Sequence, residues 1–147
     1  MIQKALDLWM ELYYNKNVSM IQKRGGFNGN SLKQQVKIIY VDKVIKAIKN
    51  NGFIIEDRPK NKIFIRRFRL NPSSIKKILL KLNASSLYKI DDDRNKDYYG
   101  DEPVVFFILD EKLVNFHGED EKVKIYIKIK LYEDDIVPVI SFHEAEH

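Results

Sequence analysis

The residues with the clearest chemical potential lie in the stretch 122–130, which reads KVKIYIKIK. Apolar and polar residues alternate there without a break, and a period of two is typical of a strand with one buried face. On the polar face Lys124, Tyr126 and Lys128 form one row, so a phenol is flanked by two ammonium groups. Lysines bind phosphate, and a neighbouring cation lowers the pKa of a phenol so that it transfers protons more easily. An ordinary solvated strand face is the alternative interpretation.

Three other parts of the sequence add groups that suit a nucleic-acid ligand. His143 follows the last predicted strand, and histidine is the natural acid or base near neutral pH. Tyr88, Phe64 and Phe68 are candidates for stacking on the bases of a single strand, with a place in the core as the alternative for the two phenylalanines. The run KIFIRRFR is the densest basic and aromatic patch and contains Arg66, Arg67 and Arg69. A basic patch of this kind favours polyanions.

The composition predicts one domain of ordinary size. The chain has 147 residues, of which 44% are hydrophobic, so it can bury a sizeable core. It holds no cysteine, which excludes disulfides, thiolate metal sites and a cysteine nucleophile. The net charge of +5 conceals an asymmetry, because the first 90 residues are strongly basic and the remainder is acidic. No stretch is apolar enough for a transmembrane helix, so we expect a cytoplasmic protein with no membrane partner.

The last five residues formally match the zinc-protease motif H-E-x-x-H, with His143 and His147 at its ends. That chemistry requires both histidines on one helix and usually a third ligand. Here the motif follows a predicted strand. We therefore expect no metal site and no cofactor.

Apolar spacing and turn residues predict mainly helices in the first 90 residues. Helices are predicted at 2–14, 32–50 and 71–82, with a flexible glycine-rich loop at 16–31 and extended segments at 53–56 and 62–70. Gly52 is expected to accept the left-handed conformation that ends the second helix. Asn71, followed by Pro72, is expected to begin the third helix.

The pattern changes to strands in the last third of the chain. Strands are predicted at 104–109, 113–116, 122–130 and 136–142, with the acidic runs 91–93, 101–102, 110–111, 119–121 and 133–135 in turns between them. His117 and Gly118 are predicted to turn the chain into 122–130, whose end residue Lys130 is expected to be solvated. Pro138 suggests an edge strand or a bulge. We predict an α+β fold in which N-terminal helices pack on a C-terminal antiparallel β-meander.

Four segments in this order resemble the MqsR family of toxins from type II toxin–antitoxin pairs. They are YVDKVIKAIKNNG (40–52), NPSSIKKILLKLNASSLYKI (71–90), KIYIKIK (124–130) and VISFH (139–143). The resemblance implies a RelE-like fold, an mRNA interferase activity that inhibits translation, and a cognate antitoxin protein as partner. It covers about residues 40–147, so residues 1–35 form an N-terminal extension of the domain without a counterpart.

The resemblance also implies roles for individual residues. Lys89, within LYKI, matches the family's catalytic lysine, and Tyr126, within IYIK, matches its functional tyrosine. His143 stands where the family has a functional lysine, so the acid–base group differs here. A glutamine and an arginine of the family's central loop have no match. We expect Lys89, Tyr126 and His143 to be catalytic, and the substrate-binding residues to be Lys124, Lys128, Tyr88, Arg66, Arg67 and Arg69.

The expected reaction is metal-independent cleavage of single-stranded RNA by attack of a 2′-hydroxyl group. It predicts that Lys89, Tyr126 and His143 lie close together. The alternative is a non-catalytic nucleic-acid- or protein-binding module, such as a phage or mobile-element inhibitor, which predicts that the three residues diverge while a basic stripe remains along 43–49 and 66–69. A structural protein whose charge only maintains solubility predicts neither arrangement.

Overall fold

The computed structural model describes residues 29–92, 103–131 and 136–146, without the side chains of 29–33 and 92. Over these ranges the helices are α1 (Gly29–Lys49), α2 (Pro59–Arg67) and α3 (Pro72–Leu79). The strands are β1 (Phe53–Ile55), β2 (Leu87–Asp92), β3 (Pro103–Val114), β4 (Asp120–Lys130) and β5 (Val137–Glu144). The fold class is α+β, as predicted. No helix in these ranges is long and apolar enough to cross a membrane.

Some of the predicted elements fall in parts of the chain that the structure does not describe. The helix at 2–14, residues 16–28 of the glycine-rich loop, and the acidic runs at 101–102 and 133–135 lie outside the described residues. The last residues of that loop are described, and there the prediction is wrong. Helix α1 begins at Gly29 and not at residue 32, so 29–31 are helical.

The five strands form one mixed sheet in the order β1-β5-β4-β3-β2. Strands β3, β4 and β5 form the predicted antiparallel meander. Two further strands join it: β2 is antiparallel to β3 and contains Asp91 and Asp92, which were expected in a turn, and β1 is parallel to β5. Strand β5 is therefore internal, and the edge position predicted from Pro138 is wrong. The N–H of Val137 donates to the carbonyl of Gly52, and the carbonyl of Val139 accepts from the N–H of Glu56, just outside the two ends of β1. The missing N–H of Pro138 therefore faces β4, beyond the last residue paired with that strand. A register shift, the other expectation, does occur nearby at Ile140.

Strand β3 is one continuous strand and not the two short strands predicted at 104–109 and 113–116. It pairs with β4 without interruption from Val104 opposite Lys130 to Val114 opposite Asp120. The acidic residues at 110–111 therefore lie within the ladder and not in a turn. Backbone pairing along the whole of β4 outweighs the weak strand preference of acidic residues. The turn at 117–118 is confirmed, with Gly118 at a φ of 82°.

The segment 62–70, predicted to be extended, is mostly helical. Pro59 occupies the first turn of α2, where a missing N–H costs nothing. The buried side chains Asn61, Phe64 and Phe68 follow helical spacing. Phe64, Arg66 and Phe68 also fit the period of two that predicts a strand. Only the helix places Asn61 on the same buried side as the two phenylalanines.

Asn61 joins α2 to the inner face of the sheet. Its side-chain Nδ2 donates to the carbonyl oxygens of Glu56 and Ile140, each at 3.0 Å. Its Oδ1 accepts from the backbone N–H of Phe142 at 2.8 Å. Beside this amide, the ring of Phe64 packs edge-on against that of Phe142, with centroids 5.5 Å apart. These contacts hold the end of β5 in a defined position.

The ends of the other helices follow capping rules with one change of residue. Asn51 and not Gly52 takes the left-handed conformation after α1, at a φ of 58°. The N–H groups of Asn51 and Gly52 then bond back to Ile48 and Ala47, which is a Schellman motif. Asparagine tolerates this conformation because its short polar side chain bonds locally. Asn71 caps α3 as predicted, accepting from Ser74 N–H at 2.8 Å.

The core lies between the helices and the inner face of the sheet. The alternation predicted on β4 is confirmed, because the apolar residues of this strand are at most 3% exposed: Val123, Ile125, Ile127 and Ile129. Lys130, expected to be solvated, is 0% exposed. Its partner across the ladder, Val104, is 1% exposed, so the outer face is covered at this end of the sheet.

We predict that Asn61→Ala lowers the free energy of unfolding by about 3 kcal/mol. The substitution leaves the N–H of Phe142 and the carbonyl of Ile140 buried without their partner, and each such group costs about 1–3 kcal/mol. Denaturant unfolding followed by circular dichroism measures the change. The matched control is Asn71→Ala, which removes an exposed cap and costs about 1 kcal/mol. Equal losses in the two variants would contradict the role given to Asn61.

Candidate active site

The outer face of the sheet, opposite the helices, carries the polar side chains of β4. Tyr126 is paired with His143 of β5 on one side and with Ile108 of β3 on the other. The rings of Tyr126 and His143 lie 5.4 Å apart between centroids, with an interplanar angle of 37°. Directly opposed residues of an antiparallel pair point to the same face. The ladder between β4 and β5 therefore brings these two rings together.

One row further along the strands, Phe106 of β3 lies between two lysines. It is paired with Lys89 of β2 on one side and with Lys128 of β4 on the other. The ammonium nitrogen of Lys89 is 5.0 Å from the centroid of the Phe106 ring, and that of Lys128 is 5.6 Å from it. Both distances fall within cation–π range. The Phe106 centroid is also 6.3 Å from that of Tyr126, so the two rows adjoin.

Tyr88 completes the aromatic group at an irregularity of the sheet. The register between β2 and β3 shifts between Leu87 and Lys89, and Tyr88 lies at that shift. Its ring centroid is 6.2 Å from that of Phe106, and Tyr88 is 50% exposed. We call the side chains Tyr88, Lys89, Phe106, Tyr126, Lys128 and His143 the outer-face cluster. It contains all three residues expected to be catalytic.

The phenol of Tyr126 keeps its proton at neutral pH. Partial burial raises the pKa of Tyr126 above its ordinary value of about 10, and Tyr88 raises it further through electrostatic repulsion and a hydrogen bond. The pKa is thus shifted in the direction opposite to the one that a neighbouring cation would give. Tyr126 is therefore suited to donate a hydrogen bond to an anionic oxygen and is not suited to act as a base.

The orientation of His143 gives its two ring nitrogens different roles. Nδ1 lies 2.9 Å from the backbone carbonyl oxygen of Glu144. A carbonyl oxygen only accepts, so Nδ1 carries the proton in this contact. In the neutral ring Nε2 is then an acceptor. His143 is the side chain of the outer-face cluster best suited to take a proton from a ligand.

Two lysines of this face lie near carboxylates. The ammonium nitrogen of Lys89 is 3.2 Å from Asp91, and that of Lys124 is 3.5 Å from Asp110. All four side chains are at least 42% exposed, and exposed ion pairs contribute little to stability. A phosphate can therefore replace either carboxylate at small cost. Lys124 lies one row beyond Tyr126 on the same face, on the side away from Lys128.

The three arginines expected to bind substrate are not part of the outer-face cluster. Arg67 bonds to Glu121 at 2.5 Å and to Glu144 at 2.7 Å, so its guanidinium joins α2 to β4 and β5. Arg66 is exposed on α2, and Arg69 is exposed just after it. Because α2 packs on the inner face of the sheet, these side chains do not converge with the outer-face rings.

The H-E-x-x-H motif begins on a strand. His143 and Glu144 are the last two residues of β5, and neighbouring side chains of a strand point to opposite faces. Glu144 pairs with Arg67, and His147 lies outside the described residues. Among the residues that the structure describes, no group of three or more His, Cys, Asp or Glu side chains is placed to hold a metal ion.

Phe106 is the member of the cluster that sequence reasoning missed. It lies within VVFFIL at 104–109, an unbroken apolar run that predicts a fully buried strand and hides the alternation. The turn at 117–118 contained the missing signal. A hairpin folded about that turn places Phe106 opposite Lys128, on the polar face of 122–130.

Comparisons with protein-family models, with curated proteins and with solved structures find no match for this chain.

We predict that the phenol of Tyr126 ionises above pH 10 and that Tyr88→Phe lowers its pKa. Spectrophotometric titration of tyrosinate in wild type and in Tyr126→Phe isolates this group as the difference between the two curves. Since the folded-state pKa is raised, the stability from Tyr126 is present below the unfolded-state pKa and is lost as pH rises through the folded-state value. A difference curve centred below pH 10, or one that Tyr88→Phe leaves unchanged, would contradict the prediction.

Proposed function

We propose that this protein is an endoribonuclease that cleaves single-stranded RNA on the outer face of its sheet. The contact between Tyr126 and His143, with Lys128 on the next row of β4 and Lys89 across the Phe106 ring, carries the proposal. An RNA-cleaving site without a metal needs a base, a proton donor and positive charge near one phosphate. The outer-face cluster offers all three on one accessible surface.

The shape of the site favours an unpaired strand. The exposed face of a sheet that carries aromatic rings and lysines suits RNA whose bases are free to stack. Along β4 the residues Lys124, Tyr126 and Lys128 repeat every second position, roughly 6.6–6.8 Å apart. Successive phosphates of an extended strand can follow such a row. An RNA duplex would instead have to be contacted through one of its grooves, and the exposed face of this sheet does not offer such a contact.

Each step of the proposed reaction can be given to a group of the cluster. Nε2 of His143 takes the proton of a 2′-hydroxyl, whose oxygen forms a bond to phosphorus as the bond from phosphorus to the 5′-oxygen breaks. The hydroxyl of Tyr126 donates a hydrogen bond to a non-bridging oxygen, where negative charge develops. The ammonium groups of Lys89 and Lys128 balance that charge, and one of them protonates the leaving 5′-oxygen. The products are a 2′,3′-cyclic phosphate and a 5′-hydroxyl.

The resemblance to the MqsR family supports a proposal about the biological setting of this activity. We propose a RelE-like mRNA interferase that inhibits translation in the cytoplasm and is neutralised by a cognate antitoxin protein. The matched segments include those that contain Lys89, Tyr126 and His143. Histidine in place of the family's lysine suits the geometry here, because the bond from Nδ1 of His143 to the Glu144 carbonyl makes Nε2 the acceptor nitrogen of the neutral ring.

The alternative is a module that binds RNA and does not cleave it, and one observation favours it. Lys89 and Lys124 each lie within ion-pair distance of a carboxylate, which reduces the positive charge available to a transition state. The aromatic rings would bind an unpaired strand in either case. Only the fate of the bound RNA separates the two functions.

We predict that the purified protein cleaves single-stranded RNA in EDTA and leaves 2′,3′-cyclic phosphate ends. Tyr126→Phe and His143→Ala should each lower the cleavage rate by roughly 10²–10⁴-fold, the usual contribution of an acid–base or charge-stabilising group. Gel analysis of end-labelled RNA measures the rate. Induced expression of the wild type should arrest growth, and the two variants should not.

The matched control for these variants is Lys46→Ala. It removes an exposed lysine of α1, which packs on the side of the sheet opposite the outer-face cluster. It should cleave at the wild-type rate. Binding of RNA without cleavage would favour the alternative function. Cleavage that EDTA abolishes, or equal rates in Tyr126→Phe and wild type, would refute the proposed mechanism.

A further inference from the structure

Phe106 has an unusual setting for a phenylalanine on a sheet surface. Its ring is only partly buried, and two ammonium groups lie within 6 Å of its centroid. The rings of Tyr88 and Tyr126 flank it at 6.2 and 6.3 Å. Neither the resemblance nor the sequence pattern gives Phe106 a role. A ring kept at a polar surface between two cations is well placed to bind a ligand.

We propose that Phe106, with Tyr88 beside it, is the subsite that stacks one unpaired nucleobase next to the phosphate held by Tyr126 and His143. The proposal rests on the proposed function for the identity of the ligand as RNA. It adds a substrate-binding residue and a requirement that the nucleotide at this position be unpaired. Stacking is tolerant of base identity, since every base has an aromatic face.

The two lysines couple binding of the base to binding of its phosphate. In the free protein Lys89 and Lys128 rest near the Phe106 ring, and a cation near an exposed ring is worth less than a stacked base. An incoming strand brings both a base for the ring and a phosphate for the ammonium groups. The lysines therefore exchange the ring for phosphate as the base takes their place. Base and phosphate should bind together and not independently.

The exposure of Tyr88 gives the base a second surface. Tyr88 is 50% exposed, and although its backbone lies across β3 from that of Tyr126, the two phenols reach each other beside the Phe106 ring. A base on Phe106 can thus contact Tyr88 while its sugar and phosphate reach Tyr126. This arrangement predicts that the stacked base neighbours the cleaved bond.

The test compares Phe106→Leu with a matched control on two RNAs. One is a short single strand with 2-aminopurine at one position, and the other has an abasic nucleotide there. Binding is measured in the His143→Ala background by fluorescence anisotropy of an end label, so that no RNA is cut, and 2-aminopurine quenching reports stacking. The control is Phe116→Leu, because Phe116 is 51% exposed but lies at the β3–β4 turn. Circular dichroism and thermal unfolding establish that each variant is folded.

We expect Phe106→Leu to weaken binding of the intact RNA about tenfold, to abolish quenching, and to leave binding of the abasic RNA unchanged. Phe106→Tyr, which keeps the ring, should bind like its parent, and so should Phe116→Leu. Equal weakening on both RNAs, or no weakening on either, would overturn the stacking proposal. In the wild-type background, RNA that is bound with this base dependence and never cut would refute the nuclease and leave the subsite intact. Cleavage of RNA that binds equally well with and without the base would refute the stacking subsite and leave the nuclease proposal intact.

Discussion

The period-two alternation of β4 is the constraint on which the rest of the structure depends. Its residues Val123, Ile125, Ile127 and Ile129 enter the core, and the residues between them face outward. A shift of one residue in its register would expose the apolar side chains and bury the polar ones, so the pairing with β3 and β5 is strongly specified. That register places His143 beside Tyr126 and Phe106 beside Lys128. The outer-face cluster is thus positioned by the hydrophobic requirements of the opposite face.

Strand β5 depends on a second set of contacts. Asn61 bonds to its backbone inside the protein, and Arg67 reaches Glu144 at its end. The amide is buried, so losing its bonds is costly, whereas the arginine pairs are partly exposed and contribute less. Helix α2 therefore holds in place the strand that carries His143. The dense basic run of the sequence acts largely through packing and ion pairs on the inner side.

The outer-face cluster combines a protonated phenol, an imidazole whose Nε2 is an acceptor, and cations near an aromatic ring. None of these groups is deeply buried, so a ligand can reach them without a large rearrangement. The exposed carboxylates near Lys89 and Lys124 moderate the positive charge in the absence of ligand. A phosphate can displace them because exposed ion pairs are weak. The site thus relies on accessible groups that exchange partners, not on an enclosed cavity.

The sequence by itself determined the α+β class, the helices α1 and α3, and the buried and exposed faces of β4, because each follows from short-range periodicity and capping residues. It also predicted that Tyr126 and His143 lie close together, and their ring centroids are 5.4 Å apart. Only the tertiary structure decided the helical state of α2, the parallel pairing of β1 with β5, and the position of Phe106. These depend on contacts between distant residues: Asn61 with β5, β1 with a strand that begins over 80 residues later, and β3 with the polar face of β4. A local sequence pattern does not show which distant residues will be in contact. The alternation in 62–70 fits a helix or a strand, and the apolar run in 104–109 fits a strand buried on one face or on both, until those contacts are known.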